Sequence, residues 1–237
     1  MKIYFIRHGD PDYANDTLTA RGWKEAEALS KRVAKWDVDK FYCSPLGRAK
    51  DTASLSLDLM NRTAEIKDWL REFYVPVIDQ ETGQERIPWD LMPSYWTKQP
   101  VLYDKDSWLR HPLMKTGRVA EEYLRVSNGI DEILEEYGYV RNDGYYVTKQ
   151  GSDKTIAIFC HLGVQFVMLS HLFGISPPAL WQNFFVAPTS VTEVVTEERI
   201  KGEACFRCKR LGDISHLYID GIKPSDSGFF NEVHNQE

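Results

Sequence analysis

Two histidines and two arginines stand at or near the ends of apolar runs in this sequence. Arg7 and His8 follow the run KIYFI, and His161 follows TIAIFC. Arg48 lies shortly after the pair Ser44-Pro45. A guanidinium group offers forked donors that match phosphate oxygens, and a neutral imidazole is a capable nucleophile at phosphorus. These side chains therefore predict binding and transfer of a phosphoryl group, by a chemistry that requires no metal ion.

The elements that must position these side chains are buried strands. Short apolar runs at residues 2–6, 40–43 and 155–160 are typical of parallel strands covered on both faces. Helical segments separate them, so the order β-α-β-α predicts a parallel sheet with right-handed crossovers. Ligands of such sheets bind outside the carboxyl ends of the strands. We therefore expect the histidines and arginines to converge at that edge.

Two helices are expected in the first third of the chain. Thr19 is a good N-cap, and a buried stripe follows at Trp23, Ala26, Leu29 and Val33. Ser44 as N-cap with Pro45 at the first helical position predicts a second helix that carries Arg48 in its first turn. The N-terminus of that helix would add its dipole to an anion site.

Further periodic segments fill the second half of the chain. The predicted elements are a long helix at 119–137 stopped by Gly138, a helix at 164–173, and two strands at 190–198 and 204–211 joined by a turn at Lys201-Gly202.

We predict a single α/β domain over residues 1–222, interrupted by an irregular insertion at about 79–115. The insertion holds four prolines and the indoles of Trp89, Trp96 and Trp108, which are unlikely residues to leave in water. Residues 223–237 form a polar tail that we expect to be loosely held.

Composition sets limits on the class of protein. The 237 residues have a formal net charge of −6, which argues against a nucleic-acid footprint spread over the surface. The chain shows neither a signal-peptide core nor an apolar run of transmembrane length, so we expect a cytoplasmic protein with no membrane partner. Cys205 and Cys208 form a CxxC, but on a strand such positions point to opposite faces, which disfavours a zinc site.

Three motifs in order resemble the histidine phosphatase superfamily, which also contains the cofactor-dependent phosphoglycerate mutases. They are Arg7-His8-Gly9 after an N-terminal strand, the segment SPLGRAKDTA from Ser44 to Ala53, and a late strand ending in His161. The resemblance covers residues 1 to about 211 apart from the insertion. It implies a three-layer α/β/α sandwich around a mostly parallel sheet.

The resemblance also implies roles for individual residues. His8 would be the nucleophile, Arg7, Arg48 and His161 would bind the phosphoryl group, and no cofactor is needed. The proton donor of the family is a carboxylate after the second helix, for which Glu72 is the nearest match. The possible substitutes are Asp68, Asp79, Glu81 and Glu85. The sequence departs from the family at Cys160-His161-Leu162-Gly163, where a small residue and a His-Gly pair are more usual.

Several functions stay open at this level. The mutases of this family continue after Arg-His-Gly with a serine and then a tryptophan-asparagine pair, whereas Pro11, Tyr13 and Ala14 stand here. This difference favours a phosphatase that acts on a small phosphorylated metabolite over a mutase. A domain that binds a phosphorylated ligand or a protein without turnover is the third alternative, and the sequence leaves the oligomeric state unknown.

The insertion is expected to cover the strand ends and to form the substrate pocket. Its three tryptophans would anchor it, and Arg86, Arg110 or Lys115 would be available for a second anionic group of the substrate. The alternative is that the insertion packs on the fold at a place remote from the site and has no part in substrate binding. The remaining histidines, which we interpret as structural or solvated, are His111, His171, His216 and His234.

Overall fold

A computed structural model describes residues 1–80 and 82–230, and one sheet of eight strands lies at its centre. Strands are numbered along the chain, and the sheet has the order β5-β4-β10-β1-β11-β12-β9-β8. Their bounds are β1 Lys2–Arg7, β4 Lys40–Cys43, β5 Ala64–Ile66, β8 Val140–Asn142, β9 Tyr145–Val147, β10 Thr155–Cys160, β11 Val191–Ile200 and β12 Glu203–Asp213. Two small hairpins complete the strands, formed by β2 Pro11–Asp12 with β3 Thr17–Leu18 and by β6 Val77–Ile78 with β7 Glu85–Arg86.

The strands that carry the predicted site are parallel neighbours. β1 pairs with β10, β10 with β4, and β4 with β5, all in parallel. Arg7 stands opposite Cys160, and Phe159 stands opposite Cys43. The chain therefore leaves β1, β4 and β10 at one edge of the sheet, which brings His8, Ser44 and His161 together. The strands from β11 to β8 extend the other side of the sheet in antiparallel pairs.

Helices cover both faces of the sheet, as the alternation of its side chains requires. In β10, Ile156 and Ile158 belong to one apolar cluster, and Ala157 and Phe159 to a second. The first cluster packs under the helices at Val119–Glu136 (α4) and Leu162–Phe173 (α5), and the second under those at Ala20–Val33 (α1) and Gly47–Met60 (α2). The helices are α1 Ala20–Val33, α2 Gly47–Met60, α3 Pro93–Trp96, α4 Val119–Glu136, α5 Leu162–Phe173, α6 Pro177–Trp181 and α7 Ser215–Ile219. The predicted three-layer α/β/α sandwich is confirmed.

Most predicted elements are present, with two local corrections. Helix α2 begins at Gly47 and its N-cap is Leu46, because Leu46 is extended at φ −72° and ψ 141°. The prediction that Ser44 caps this helix was wrong, since its hydroxyl is hydrogen-bonded to His161. In α1, whose N-cap is Thr19 as predicted, Trp23 is exposed and Glu25 is buried in its place.

Beyond β7, which lies in its first part, the insertion is built from short turns of helix. Besides α3, it contains 3₁₀ turns at Pro100–Tyr103, Trp108–Arg110 and Leu113–Thr116. Trp108 is fully buried, whereas Trp89 and Trp96 pack half-buried against the main core. The tryptophans therefore anchor the insertion to α6 and α4, where Trp108 makes edge contacts with Trp181 and Tyr123.

The expectation of a loosely held tail is wrong for its first part. The Ser225 hydroxyl is buried and bonds to the Asp10 carboxylate, and the Ser227 carbonyl accepts a 2.7 Å hydrogen bond from Arg7. The ring of Phe229 stacks on Phe185 with centroids 3.8 Å apart. Residues 231–237, with His234, lie outside the described part. Across residues 1–80 and 82–230, no helix combines the length and the apolarity needed to cross a bilayer.

Candidate active site

His8 leaves β1 at the parallel edge of the sheet and is almost wholly buried, with 2% of its surface exposed. Its Nδ1 lies 2.7 Å from the Gly9 carbonyl oxygen, which can only accept. Nδ1 therefore carries the proton, and Nε2 keeps a lone pair. Burial and the positive charge of Arg7 lower the pKa of His8 well below its usual 6.5, so the imidazole is neutral near pH 7.

The second histidine, His161, lies beside the first at the end of β10. The two ring centroids are 5.1 Å apart and His161 is fully buried. Its Nε2 is 2.7 Å from the Ser44 hydroxyl, which also accepts from the backbone N–H of Leu46. A hydroxyl that accepts from Leu46 is set to donate to Nε2, which leaves the proton of His161 on Nδ1. Burial, with His8 as the next cause, lowers the pKa of His161 well below 6.5.

Two arginines supply positive charge. Arg7 is buried and donates to the carbonyl oxygens of Val186 and Ser227, each at 2.7 Å. Arg48, in the first turn of α2, donates to Asp16 at 2.6 Å and lies over the ring of Tyr13. Backbone carbonyls thus fix the guanidinium group of Arg7, and side-chain contacts fix that of Arg48, before any ligand arrives.

Asp16, which the sequence analysis missed, holds the start of α2 in place. Its carboxylate accepts from Arg48 and, at 2.7 Å, from the backbone N–H of Gly47. A Cβ on Gly47 would lie 1.9 Å from the Asp16 carbonyl oxygen, so only glycine fits there. Asp16 itself has a positive φ of 48°, which an aspartate tolerates.

Glu72 reaches the N-terminus of α5. Its Oε1 accepts from the backbone N–H groups of Phe73 at 2.7 Å and Val164 at 2.8 Å. Its Oε2 accepts one longer bond, 3.2 Å, from Gly163. A Cβ on Gly163 would lie 2.6 Å from the ring of Trp89 and 2.8 Å from the Glu72 carboxylate. The glycine two positions after His161 therefore permits the close approach of both side chains.

These groups surround one cavity of about 650 Å³. Arg7, Arg48, Arg71 and Glu72 line it, and most of the other lining side chains are aromatic or aliphatic. The two histidines do not form its walls but are direct neighbours in sequence of Arg7 and Leu162, which do. The structure thus brings all five predicted site residues to a single concave site.

Three buried nitrogens of this cluster have no hydrogen-bond partner. They are Nε of Arg7, Nε of Arg48 and Nδ1 of His161, and they make up a third of the nine such side-chain atoms found in the described part of the chain. Buried polar groups are nearly always paired, because leaving one unpaired costs roughly 1–3 kcal/mol. A concentration of unpaired donors indicates a site built for an anionic ligand rich in acceptor oxygens.

The alternative carboxylates are placed elsewhere. Asp68 is exposed and bonds to Arg71, and Asp79 pairs with Arg86. Glu85 lies exposed on β7. None of these three lines the cavity, and Glu81 lies outside the described residues. Of the described candidates for the proton donor, Glu72 is the one that lines the cavity.

The expected second anion site in the insertion is not supported. Arg86 is engaged by Asp79 at 3.2 Å and by Asp90 at 3.4 Å. Neither it nor Arg110 or Lys115 lines the cavity. The insertion does contribute Ile87 and Trp89 to the wall, so it is part of the pocket through its apolar side chains rather than its cations.

His111, His171, His216 and the cysteine pair lie away from the cavity. His111 is buried in the insertion, His171 pairs with Asp131 at 2.8 Å, and His216 contacts Thr189 and Arg32. Cys205 and Cys208 are free thiols on β12. Among residues 1–80 and 82–230, no group of three or more His, Cys, Asp or Glu side chains is arranged to hold a metal ion.

The C-terminal segment is the main part of the site that sequence reasoning missed. Gly228, Phe229 and Phe230 line the cavity, and a Cβ on Gly228 would lie 2.7 Å from the Arg7 guanidinium. The only sequence signal was the pair Phe229-Phe230 within an otherwise polar stretch. Its place beside Arg7 depends on long-range packing, which local patterns do not record.

Comparison with known proteins agrees with this architecture. A protein of Schizosaccharomyces pombe described as a probable phosphatase is 24% identical over 231 residues, which cover 92% of this chain and 95% of that protein. The phosphoserine phosphatase of Entamoeba histolytica superposes with a TM-score of 0.61 at 17% identity, over 91% of this chain and 98% of the other. The alpha-ribazole phosphatase of Shigella flexneri superposes with a TM-score of 0.57 at 22% identity, over 90% of this chain and 97% of the other. Residues 3–205 match the family model of branch 1, and the chain belongs to the histidine phosphatase superfamily.

Proposed function

We propose that the protein hydrolyses phosphate monoesters of small metabolites through a phosphohistidine formed on His8. The observation that carries the proposal is the set of unpaired buried nitrogens on Arg7, Arg48 and His161 around an imidazole whose Nε2 is free. A phosphoryl group has three terminal oxygens that can accept from these donors. The names of the structural relatives, which include a phosphoserine phosphatase and an alpha-ribazole phosphatase, agree with small phosphorylated substrates.

In the first half-reaction, Nε2 of His8 attacks phosphorus and the bond from phosphorus to the ester oxygen breaks. The arginines and His161 stabilise the charge on the equatorial oxygens as the group transfers. Glu72 gives its proton to the departing alkoxide. Its Oε2 accepts a single long hydrogen bond, so this oxygen has more freedom than Oε1 to carry that proton. The Nδ1–H bond to Gly9 stabilises the positive charge of the phosphorylated ring.

In the second half-reaction, water attacks the phosphohistidine while Glu72 takes up one of its protons. The bond from nitrogen to phosphorus breaks, inorganic phosphate leaves, and His8 returns to its neutral form. One carboxylate thus serves as acid and then as base.

The test is to trap the intermediate. Brief incubation with a ³²P-labelled monoester, followed by quenching in base, should leave acid-labile phosphate on the peptide that contains His8. His8→Asn should abolish both the label and turnover, with a loss of at least about 10³-fold, while its circular dichroism and melting temperature show an intact fold. Label on a serine or cysteine would reject the mechanism, and native enzyme without turnover would favour a binding domain.

The same labelled monoester also tests for a mutase and for a metal requirement. A mutase would return labelled phosphate to a second metabolite hydroxyl rather than to water, so the ratio of inorganic phosphate to transferred phosphate distinguishes it. A chelator added to the assay tests the expectation that no metal is required. The cytoplasmic location and the lack of nucleic-acid and membrane partners stay predictions of the sequence.

A further inference from the structure

The cavity wall beyond the phosphoryl-binding groups is apolar. The side chains that form it include Leu46, Ile87, Trp89, Leu162, Phe229 and Phe230. Trp89 is held rigidly, because its ring packs against Trp181 with centroids 5.4 Å apart and its carbonyl accepts from Gln182 at 3.1 Å. The insertion therefore presents a fixed aromatic surface next to Glu72, where the leaving group of a bound ester must lie.

No free cation stands on this wall among the described residues. Arg7 and Arg48 are required by the phosphoryl group, and the third arginine, Arg71, is already engaged by Glu122 at 3.2 Å and Asp68 at 3.1 Å. The backbone N–H groups of Gly163 and Val164 are occupied by Glu72. A second anionic group on the substrate would lose its hydration here and would have to compete with Glu122 and Asp68 for Arg71.

We propose that this site selects monoesters whose alcohol is apolar or aromatic and carries no second anionic group. This inference rests on the proposed function, because it assigns the leaving-group side of the same cavity. It separates the protein from its relative crystallised with phosphoserine, a substrate that bears a carboxylate and an ammonium group. The volume of about 650 Å³ lies within the range of pockets for small organic ligands.

Matched substrates test the inference without a change in leaving-group chemistry. Hexyl phosphate and 6-phosphonooxyhexanoate share an alkyl chain and differ in a terminal methyl or carboxylate. We expect kcat/KM to be at least about tenfold higher for hexyl phosphate, because the carboxylate would be buried unpaired. The pair 2-phenylethyl phosphate and ethyl phosphate tests the apolar wall, and the ring should raise kcat/KM by about 10- to 100-fold.

Two variants with matched controls connect the preference to the wall. Phe230 lines the cavity and is 55% exposed, whereas Phe184 is 47% exposed and lies off it. Phe230→Ala should lower the ratio of kcat/KM for 2-phenylethyl over ethyl phosphate by about three- to tenfold, and Phe184→Ala should leave it unchanged. Tyr74→Lys on the wall should raise relative use of 6-phosphonooxyhexanoate, whereas Tyr218→Lys at a remote, equally exposed position should not.

Turnover of p-nitrophenyl phosphate distinguishes failure of the substrate preference from failure of the proposed phosphatase function. Turnover of this ester with equal use of both members of each pair, or a preference for the carboxylate, overturns the inference and leaves the proposed function standing. No turnover of any ester by the folded protein overturns both. A preference for the apolar members that only Phe230→Ala and Tyr74→Lys alter supports the inference.

Discussion

The chemistry of His8 follows from two of its neighbours. The Gly9 carbonyl places the proton on Nδ1 and so leaves Nε2 available for attack. Burial and Arg7 lower the pKa of the ring, which keeps the proposed nucleophile unprotonated near neutrality. The Gly9 N–H donates in turn to the Thr52 hydroxyl at 2.9 Å, so a residue of α2 fixes the backbone that orients the ring. A histidine in water would share its proton between both nitrogens and lose this preorganisation.

The proposed proton-donor role of Glu72 can be tested with esters whose leaving groups differ in their need for a proton. An alkoxide needs a proton in the transition state, whereas nitrophenolate leaves without one, and positioned acid catalysis is worth about 10²- to 10⁴-fold. Glu72→Gln should therefore depress hydrolysis of alkyl phosphates by that factor but allow the phosphoenzyme to form from p-nitrophenyl phosphate. Hydrolysis of this phosphoenzyme should be slow, because the variant lacks the carboxylate that would deprotonate water. Stopped-flow absorbance should show a burst of nitrophenol followed by slow turnover.

Asp68→Asn is the matched control for this experiment. Asp68 lies on the preceding 3₁₀ turn, is exposed, and bonds to Arg71 away from the reacting groups. Equal, small losses with both esters in Glu72→Gln, together with a burst in Asp68→Asn, would transfer the proton-transfer role to Asp68.

At the scale of elements, the sequence predicted the part of the site that follows from strand ends. Uninterrupted apolar runs identify β1 and β10 because both faces of these strands are covered, and the residue after each run must then lie at the parallel edge. The start of α2 was not predictable in the same way. Ser44-Pro45 satisfies the local rule for a helix start, but the Ser44 hydroxyl is hydrogen-bonded to His161, 117 residues away.

The same limit applies to charges in the insertion. Arg86 looked available because its partners could not be known, although Asp90 stands four residues after it and pairs with it. The C-terminal segment gave no periodic signal at all. Local pattern therefore predicted where the proposed catalytic groups leave the sheet, and tertiary contacts decided which cations are paired and which segments line the pocket.

Truncation tests the C-terminal segment as an element of the site. Removing residues 224–237 deletes the Ser225 bond to Asp10, the Ser227 carbonyl that accepts from Arg7, and the wall formed by Phe229. Loss of an acceptor for a buried guanidinium should destabilise the fold by about 1–3 kcal/mol. We expect a lower melting temperature and a loss of at least about tenfold in kcat/KM, because Arg7 is no longer fixed.

A shorter truncation supplies the comparison. Removing residues 231–237 alone leaves every contact described above, so the difference between the two proteins reports on residues 224–230. Higher activity in the longer truncation would contradict this prediction and would indicate that the segment obstructs the site.

At the scale of the whole molecule, different parts of the fold carry the charged groups and the apolar wall of the cavity. The parallel half of the sheet and α2 carry the charged groups of the proposed phosphoryl transfer, within the residues 3–205 that match the family model. The insertion and the C-terminal segment supply the apolar wall. Because one fold can host sites with different leaving-group walls, membership in the family constrains the chemistry more tightly than it constrains the substrate.

The free energy of unfolding should depend on pH through one buried carboxyl group, that of Glu25. Glu25 on α1 is buried behind the loop that follows His8, and its Oε2 accepts from the Asp10 N–H at 2.9 Å. Its Oε1 has no partner. Burial, opposed by that hydrogen bond, raises the pKa of Glu25 from 4.5 to about 7. Between these pH values the folded protein keeps a proton that the unfolded chain releases, so this group's contribution to stability falls as pH rises through about 7.

Glu25→Gln removes this penalty and should therefore stabilise the protein more at pH 8 than at pH 4.5, by an amount on the order of 2 kcal/mol. Any cost of burying the amide is the same at both pH values and cancels in the difference. Glu27→Gln, on the exposed side of the same helix, is the matched control and should show no such difference. Urea unfolding of the wild type and both variants at each pH measures this difference. An equal effect of Glu25→Gln at pH 4.5 and pH 8 would mean that folding does not raise the pKa of Glu25.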